Sequence, residues 1–126
     1  LSNTSVPDAN TGGPASIGAG RHALSTLIEK TGLAQGAIFC SSDLLAHGVL
    51  IEARARGLSV PGDFSVVGFG DQDFAGDLEP ALTTVVIDRV RMGQIAAQAL
   101  LQRMADGPRQ NLIEDLGFRI KERAST

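Results

Sequence analysis

The chain has 126 residues, 43% of them apolar, with 11 basic and 14 acidic side chains. This length permits one domain that buries a core of its own. The slightly acidic balance argues against a surface that holds a nucleic-acid backbone, and five phenylalanines without tyrosine or tryptophan are few for base stacking. The sequence contains neither an apolar stretch long enough to span a membrane nor a signal-peptide pattern at its amino-terminal end.

The single cysteine, Cys40, cannot form a disulfide within the chain or build a cysteine zinc site. It ends the apolar stretch AIFC, which predicts a buried and unreactive thiol. We expect no metal and no cofactor, and this cysteine usage favours a reducing, cytoplasmic location.

Residues 1–15 predict a disordered or loop-like end, because they are rich in Ser, Asn, Thr, Gly and Pro without any period. The first residue is leucine, so we expect the chain to be a piece of a longer protein. The first helix follows residues 16–20 and stops at Gly32. Its apolar stripe is formed by residues at helical spacing: Ala23, Leu24, Leu27 and Ile28.

A first buried strand is predicted over 37–40, and the triplet 41–43, Ser-Ser-Asp, follows it directly. Serine and aspartate are preferred helix caps because their side-chain oxygens accept the free N–H groups of the first turn. The second helix therefore begins here and stops at Gly57. A turn then leads to a second buried strand over 64–69.

A polar loop is predicted over 70–80, a third strand over 82–87, and a third helix over 88–105, which Asp88 can cap. The apolar stripe of this helix consists of Met92, Ile95, Ala96, Ala99 and Leu100. The segment 116–121 alternates apolar and polar residues, which predicts a half-covered strand. Short unalternating strands separated by amphipathic helices predict an α/β fold with a parallel sheet and helices on both faces.

Ligands of an open parallel sheet bind beyond the carboxyl ends of its strands, where the loops 41–43 and 70–73 would meet. The stretch VVGFGD begins like a dinucleotide turn, but Asp73 replaces the third glycine and no helix is predicted to hold a pyrophosphate. Asp71, Asp73 and Asp77 could form a Ca²⁺ or Mg²⁺ loop, although the EF-hand spacing is absent. A polar ligand such as a sugar or sugar acid and a simple turn cap are the remaining interpretations.

Nucleophilic catalysis has little support, because Ser41 and Ser42 lack the G-x-S-x-G elbow. His47 follows Asp43 by four residues on the second helix, where a helix-surface histidine is the simpler interpretation, as it is for His22. No pair of carboxylates is placed for acid–base work. The sequence therefore predicts no enzyme.

Three stretches in this order resemble the LacI family of bacterial transcription regulators: AIFCSSDLLAHGVLIEARARGLSVPGDFSVVGFGD, EPALTTVVIDRVRMGQIAAQALL and FRIKERAST. The motifs D-x-x-A-x-G, G-L-x-V-P-x-D-x-S-V-V-G-F and P-x-L-T-T-V are specific in combination. The resemblance covers 16–126 and implies the C-terminal effector-binding subdomain of a type I periplasmic-binding-protein-like fold. In this fold two α/β subdomains close on a small effector, and a separate N-terminal helix-turn-helix reads operator DNA as a dimer.

The resemblance carries five positions over as effector contacts: Ser16, Ser42, Phe69, Gly70 and Asp71. Asp43 is expected to hold its loop by capping. The family commonly has an acid directly after G-F, where this chain has Gly70, and a shift by one residue turns Asp71 to the other side of an extended chain. The same stretch resembles the gluconate-repressor branch, which implies a sugar or a sugar acid such as gluconate as effector.

In the family the helix over 88–105 crosses to the N-terminal subdomain, which we expect to be missing here. Its apolar stripe is therefore expected to fold back on its own domain or to pack against a second copy. The resemblance also implies a homodimer that uses the second helix, and operator DNA bound only through the missing helix-turn-helix. We predict the effector-binding and dimerisation fragment of a DNA-binding regulator, a repressor. The alternatives are a secreted sugar-binding protein of the same fold and a small α/β enzyme.

Overall fold

The computed structural model describes residues 6–106 and 113–126. Its helices and strands in these ranges are α1 (Ile17–Thr31), β1 (Gly36–Phe39), α2 (Asp43–Ala55), β2 (Phe64–Phe69), β3 (Thr83–Val86), α3 (Arg89–Asp106) and β4 (Arg119–Lys121). They follow the predicted order. One addition is a 3₁₀ helix, Asp73–Gly76, in the loop where the sequence predicted none.

Two sequence predictions fall partly outside the described residues. Of the loop-like end 1–15, residues 6–15 contain neither helix nor strand, and residues 1–5 lie outside the described part. The expected stop of α3 near Gly107 and Pro108 also lies outside it.

The four strands form one sheet in the order β1-β2-β3-β4. The first three strands are parallel, with Phe39 beside Val67 and Phe69 beside Val85. The last strand returns antiparallel to β3 and places Ile120 beside Val85. The predicted α/β class is confirmed, and the sheet is mixed because β4 runs against its neighbour.

The core lies between the sheet and the helices α1 and α2. Leu24 of α1, Val49 of α2, Val66 of β2 and Leu82 before β3 are buried in one cluster. The two helices approach closely at Gly20 and Gly48: a Cβ on Gly20 would collide with the Leu45 carbonyl oxygen, and a Cβ on Gly48 with that of Ile17. Only glycine permits this contact of helix backbones.

The opposite face of the sheet is open in the part of the chain that the structure describes. Side chains alternate along a strand, so the residues facing away from α2 form two neighbouring rows: Phe39 with Val67, and Phe69 with Val85 and Ile120. Thr83, beside Val67 on this face, is buried under the carboxyl-terminal segment. Phe39 is 64% exposed and Ile120 is 59% exposed. The described helices therefore cover one face, whereas the sequence predicted helices on both, and β4 is uncovered rather than half-covered.

Helix α3 leaves most of its apolar residues in solvent, whereas Ile95 and Ala99 of the predicted stripe are half-buried. Met92 and Leu100 of the predicted stripe are exposed, and a second exposed set, absent from the prediction, comprises Val90, Leu101 and Met104. Asp88 caps the helix as predicted, because its Oδ1 accepts the Arg91 N–H at 2.9 Å. The expected folding back onto the domain is not seen in the described residues, so the predicted packing against a second copy stays a prediction.

The carboxyl-terminal segment completes the sheet. Ser125 is fully buried; its Oγ donates to the Val66 carbonyl at 2.6 Å and accepts the Thr83 N–H at 2.8 Å. Its backbone carbonyl accepts the Val66 N–H at 2.8 Å. The segment therefore links β2 to the start of β3, where the two strands do not yet pair with each other.

Candidate functional site

The carboxyl ends of β1, β2 and β3 meet at one edge of the sheet, which we call the carboxyl edge (residues 41–43, 70–73 and 87–89). Parallel pairing places these segments side by side. A direct contact joins the first two, because the Gln72 N–H donates to Asp43 Oδ2 at 2.6 Å. The loops that the sequence predicted to share a crevice are therefore in contact.

Ser16 and Ser42 are helix caps at the amino ends of α1 and α2. The Ser16 Oγ accepts the Ala19 N–H at 3.1 Å, and the Ser42 Oγ accepts the Leu45 N–H at 3.3 Å. Each hydroxyl keeps its own proton for donation to another acceptor. Ser16 is exposed and Ser42 half-buried, so neither capping role excludes contact with a ligand.

Asp43 has a different role from the capping that the sequence suggested. Ser42 is the cap, and Asp43 is fully buried in the first turn of α2. Its Oδ1 accepts the Thr84 hydroxyl at 2.6 Å while Oδ2 accepts the Gln72 N–H. One carboxyl group thus joins α2, the loop after β2 and the strand β3. Both contacts span long sequence distances, which local pattern rules do not report.

Phe69 and Gly70 end β2 at the carboxyl edge. Phe69 is half-buried on the open sheet face. Gly70 has φ 122°, a conformation that glycine adopts and other residues adopt only with strain. Its N–H donates to the Val85 carbonyl at 2.9 Å. This backbone turns the chain away from β2, and Gly70 has no side chain to offer a ligand.

Asp71 directs its carboxylate toward the carboxyl-terminal segment. Oδ1 accepts Arg123 Nη2 at 2.7 Å and Oδ2 accepts Lys121 Nζ at 3.3 Å. The hydrogen bond from Arg123, supported by Lys121, holds the pKa of the Asp71 carboxyl below its ordinary value despite partial burial. The sequence predicted the turn of this acid from alternation along an extended chain, whereas Asp71 has φ 48°, in the left-handed region. Both carboxylate oxygens have cationic partners.

Two residues of the carboxyl edge were missed from the sequence. Gln72 is exposed directly above Gly70, and Arg89 donates from Nη2 to the Asp71 carbonyl at 3.3 Å. Arg89 is the first residue of α3. Both are polar residues that follow the end of a strand, and this position is the sequence signal that places them at the carboxyl edge.

The other interpretations of the loop gain little from the geometry. The four-residue 3₁₀ helix at Asp73 is too short to present a phosphate-binding helix end. Among residues 6–106 and 113–126 no three His, Cys, Asp or Glu side chains gather where they could hold a metal ion. The His47 ring packs against Phe74 in a tilted arrangement, with ring centroids 5.8 Å apart.

Cys40 lies beneath the carboxyl edge. It is 6% exposed, and burial, with a smaller contribution from Asp43, raises the pKa of its thiol to about 12. A thiol in this state is not a nucleophile at neutral pH. The predicted buried position is found.

An apolar groove of about 480 Å³ runs beside β1 and reaches the carboxyl edge at Ser41. Its lining includes Leu27, Ile28, Ile38 and the segment 6–9. The amino-terminal segment of the chain itself thus forms one wall.

No helix in the described ranges combines the length and the apolar character that a membrane crossing requires.

Comparison with known proteins agrees with this architecture. The sequence profile described as "Periplasmic binding protein-like domain" matches residues 4–126. The chain belongs to this family. Its resemblance to LacI-family regulators is confirmed by relatives of the same kind, such as the HTH-type transcriptional regulator GntR of Escherichia coli K12, which is 40% identical over 81 residues. That match covers 64% of this chain and 24% of the relative.

Solved structures show the same likeness in three dimensions. The complex of the transcriptional regulator CelR with cellobiose has a TM-score of 0.83 and 29% identity, covering 90% of this chain and 35% of that one. The transcription regulator GntR from Chromobacterium violaceum has a TM-score of 0.75 and 35% identity, covering 89% of this chain and 41% of that one. The domain thus spans about a quarter of its first curated relative and up to about two fifths of these two structures.

Proposed function

We propose that this domain is part of the effector-binding core of a DNA-binding transcriptional regulator, a repressor, that senses a small sugar or sugar acid. The observation that carries the proposal is the carboxyl edge, where Asp43 fixes two loops that bear hydroxyl, amide and backbone hydrogen-bonding groups. Sugars are bound by such groups. The relatives are named as regulators, and one of the similar structures is a complex with cellobiose.

The proposed contacts are the five positions expected from the sequence, with unequal roles. The hydroxyl groups of Ser16 and Ser42 donate to the effector, Phe69 offers an apolar surface to a sugar ring, and Gly70 offers only its backbone. Asp71 acts through its ion pairs, which hold the 70–72 loop in place. The proposal contains no catalytic step.

The mechanism that follows is allosteric. An effector that binds between this domain and a second subdomain favours the closed arrangement by its differential affinity for the two states. In the whole regulator this arrangement would set the spacing of DNA-binding modules in a homodimer that uses α2. We expect such a protein to act in the cytoplasm.

The test uses the full-length protein that carries this domain. Isothermal titration calorimetry against ribose, cellobiose and gluconate should give one saturable signal, and the same ligand should change the affinity for operator DNA in a mobility-shift assay. Ser42→Ala, compared with Ser41→Ala, should weaken the ligand by about tenfold through the loss of one hydrogen bond. A protein that binds DNA but responds to none of the sugars or sugar acids would contradict the proposal.

A further inference from the structure

Three of the four acids of the carboxyl edge are already engaged inside the domain, and the fourth, Asp73, is exposed. Asp43 accepts two hydrogen bonds, Asp71 faces two cations and Asp88 caps α3. A carboxylate saturated in this way gains little by binding a sugar hydroxyl, because it would have to release a charged or buried donor. Recognition at this edge therefore falls to other side chains.

Gln72 is placed for this recognition. Its backbone N–H is held by Asp43 at 2.6 Å, so the residue has a fixed point of attachment while its side chain is exposed. Its Nε2 lies 3.5 Å from the position that a Cβ on Gly70 would take. The carboxamide thus stands over Gly70, in the direction in which residue 70 would project a side chain if it had one.

We propose that Gln72 is a specificity-determining residue of the carboxyl edge, whose uncharged carboxamide favours an effector that carries a carboxylate. This inference rests on the function proposed above. An amide both donates and accepts hydrogen bonds, whereas a carboxylate only accepts. An N–H donor over Gly70 suits a carboxylate oxygen of a sugar acid, and it places no negative charge beside it.

The surrounding charges support an anionic effector. Lys121 and Arg123 contact the Asp71 carboxylate, and Arg89 donates to the Asp71 backbone carbonyl, so three cations lie around one acid. Lys121 and Arg89 are exposed and can approach a ligand. Asp73 is an exposed acid next to Gln72, and its negative charge opposes the binding of an anionic effector.

The decisive experiment is calorimetry on the full-length protein with D-gluconate and its neutral counterpart D-gluconamide. We expect wild type to prefer gluconate. Gln72→Glu should weaken gluconate binding by about tenfold or more, because it places a second negative charge beside the carboxylate of the ligand in partly screened surroundings. The affinity for gluconamide should change by less than about threefold, because that ligand carries no charge.

Gln35→Glu is the matched control, because it makes the same change at an exposed residue before β1, at the opposite end of the sheet. It should leave both affinities unchanged. Equal loss of both ligands in Gln72→Glu, or no loss of either, would overturn the inference. A wild-type protein that prefers gluconamide or neutral sugars would also overturn it. The same holds if Asp73→Asn changes the preference between gluconate and gluconamide while Gln72→Glu does not. A wild type that binds no sugar or sugar acid at all would instead refute the proposed function.

Discussion

At the residue scale, Asp43 organises the carboxyl edge. Its carboxyl group is the common acceptor for Thr84 and for the backbone of Gln72, which lie 41 and 29 residues away in the sequence. Without this acceptor the buried Thr84 hydroxyl and the partly buried Gln72 N–H would lose their partner. The shape of the edge therefore depends on one side chain that need not contact the effector.

Replacing Asp43 by alanine should lower the free energy of unfolding by about 3 kcal/mol, because two donors lose their buried partner. Urea denaturation followed by circular dichroism measures this. Asp73→Ala is the control, since that acid is exposed beside the same loop, and it should change stability by less than about 0.5 kcal/mol. Equal effects of the two substitutions would show that Asp43 does not join the loops.

Asp71 should make stability depend on acid pH. Its folded-state pKa is lowered by Arg123 and Lys121, so its contribution is fully present above the unfolded value, about 3.9. It is lost as pH falls through the lower, folded-state pKa. The difference in unfolding free energy between wild type and Asp71→Asn should be constant above about pH 5 and shrink below about pH 4. A difference that does not change between pH 6 and pH 2.5 would contradict the ion pairs.

At the element scale, the close contact of α1 with α2 depends on two glycines. Gly20 and Gly48 bring the helix backbones so near that an added methyl group meets backbone atoms, which cannot move aside as a flexible side chain can. Glu52 reinforces the contact, because it accepts Arg21 of α1 at 3.0 Å and Arg56 at 2.9 Å. The pair of helices is thus positioned as a unit on β2.

Gly20→Ala should destabilise the domain by about 1–3 kcal/mol through overpacking. Gly18→Ala, in the same helix, meets no atom within 4 Å and should stabilise it by about 0.5–1 kcal/mol through helix propensity. Thermal unfolding of both variants beside wild type measures the difference. If both substitutions stabilised the domain, or both destabilised it, the result would contradict the close contact between α1 and α2.

Local patterns predicted the elements whose causes are local. The strand β2 is a mostly apolar stretch without helical spacing and α2 begins at a serine cap, so both were predicted closely. The role of Asp43 and the insertion of Ser125 between strands were not predictable, since each depends on partners at least 29 residues away. The 3₁₀ helix after Gln72 was missed because four residues carry no periodic signal.

At the scale of the whole molecule, two apolar surfaces lack partners within the described residues. One is the open sheet face and the other is α3, whose exposed residues lie on more than one side of the helix. Leu101 is 65% exposed and Met104 is 76% exposed. A helix with apolar residues around its circumference is normally surrounded by protein, and exposed patches of several hundred Å² mark interaction sites.

These 126 residues in isolation should therefore self-associate as their concentration rises. Leu101→Glu should shift the equilibrium toward monomer by about tenfold or more, because it places a charge where apolar surface is buried. Sedimentation velocity over a concentration series measures the equilibrium. Gln98→Glu adds the same charge at an exposed polar position of α3 and is the control. A wild-type chain that stays monomeric throughout would contradict the expectation.

The buried thiol of Cys40 also makes the domain its own chemical reporter. Burial raises the pKa of the thiol to about 12, so it is almost entirely protonated at pH 8, and the folded structure shields it. Alkylation by iodoacetamide therefore proceeds almost entirely through molecules in which a local opening has exposed Cys40, which lines the apolar groove beside β1. Because the sequence contains a single cysteine, the alkylation rate measures how often Cys40 becomes exposed, without any engineered label. A ligand that stabilises the closed structure should slow the reaction.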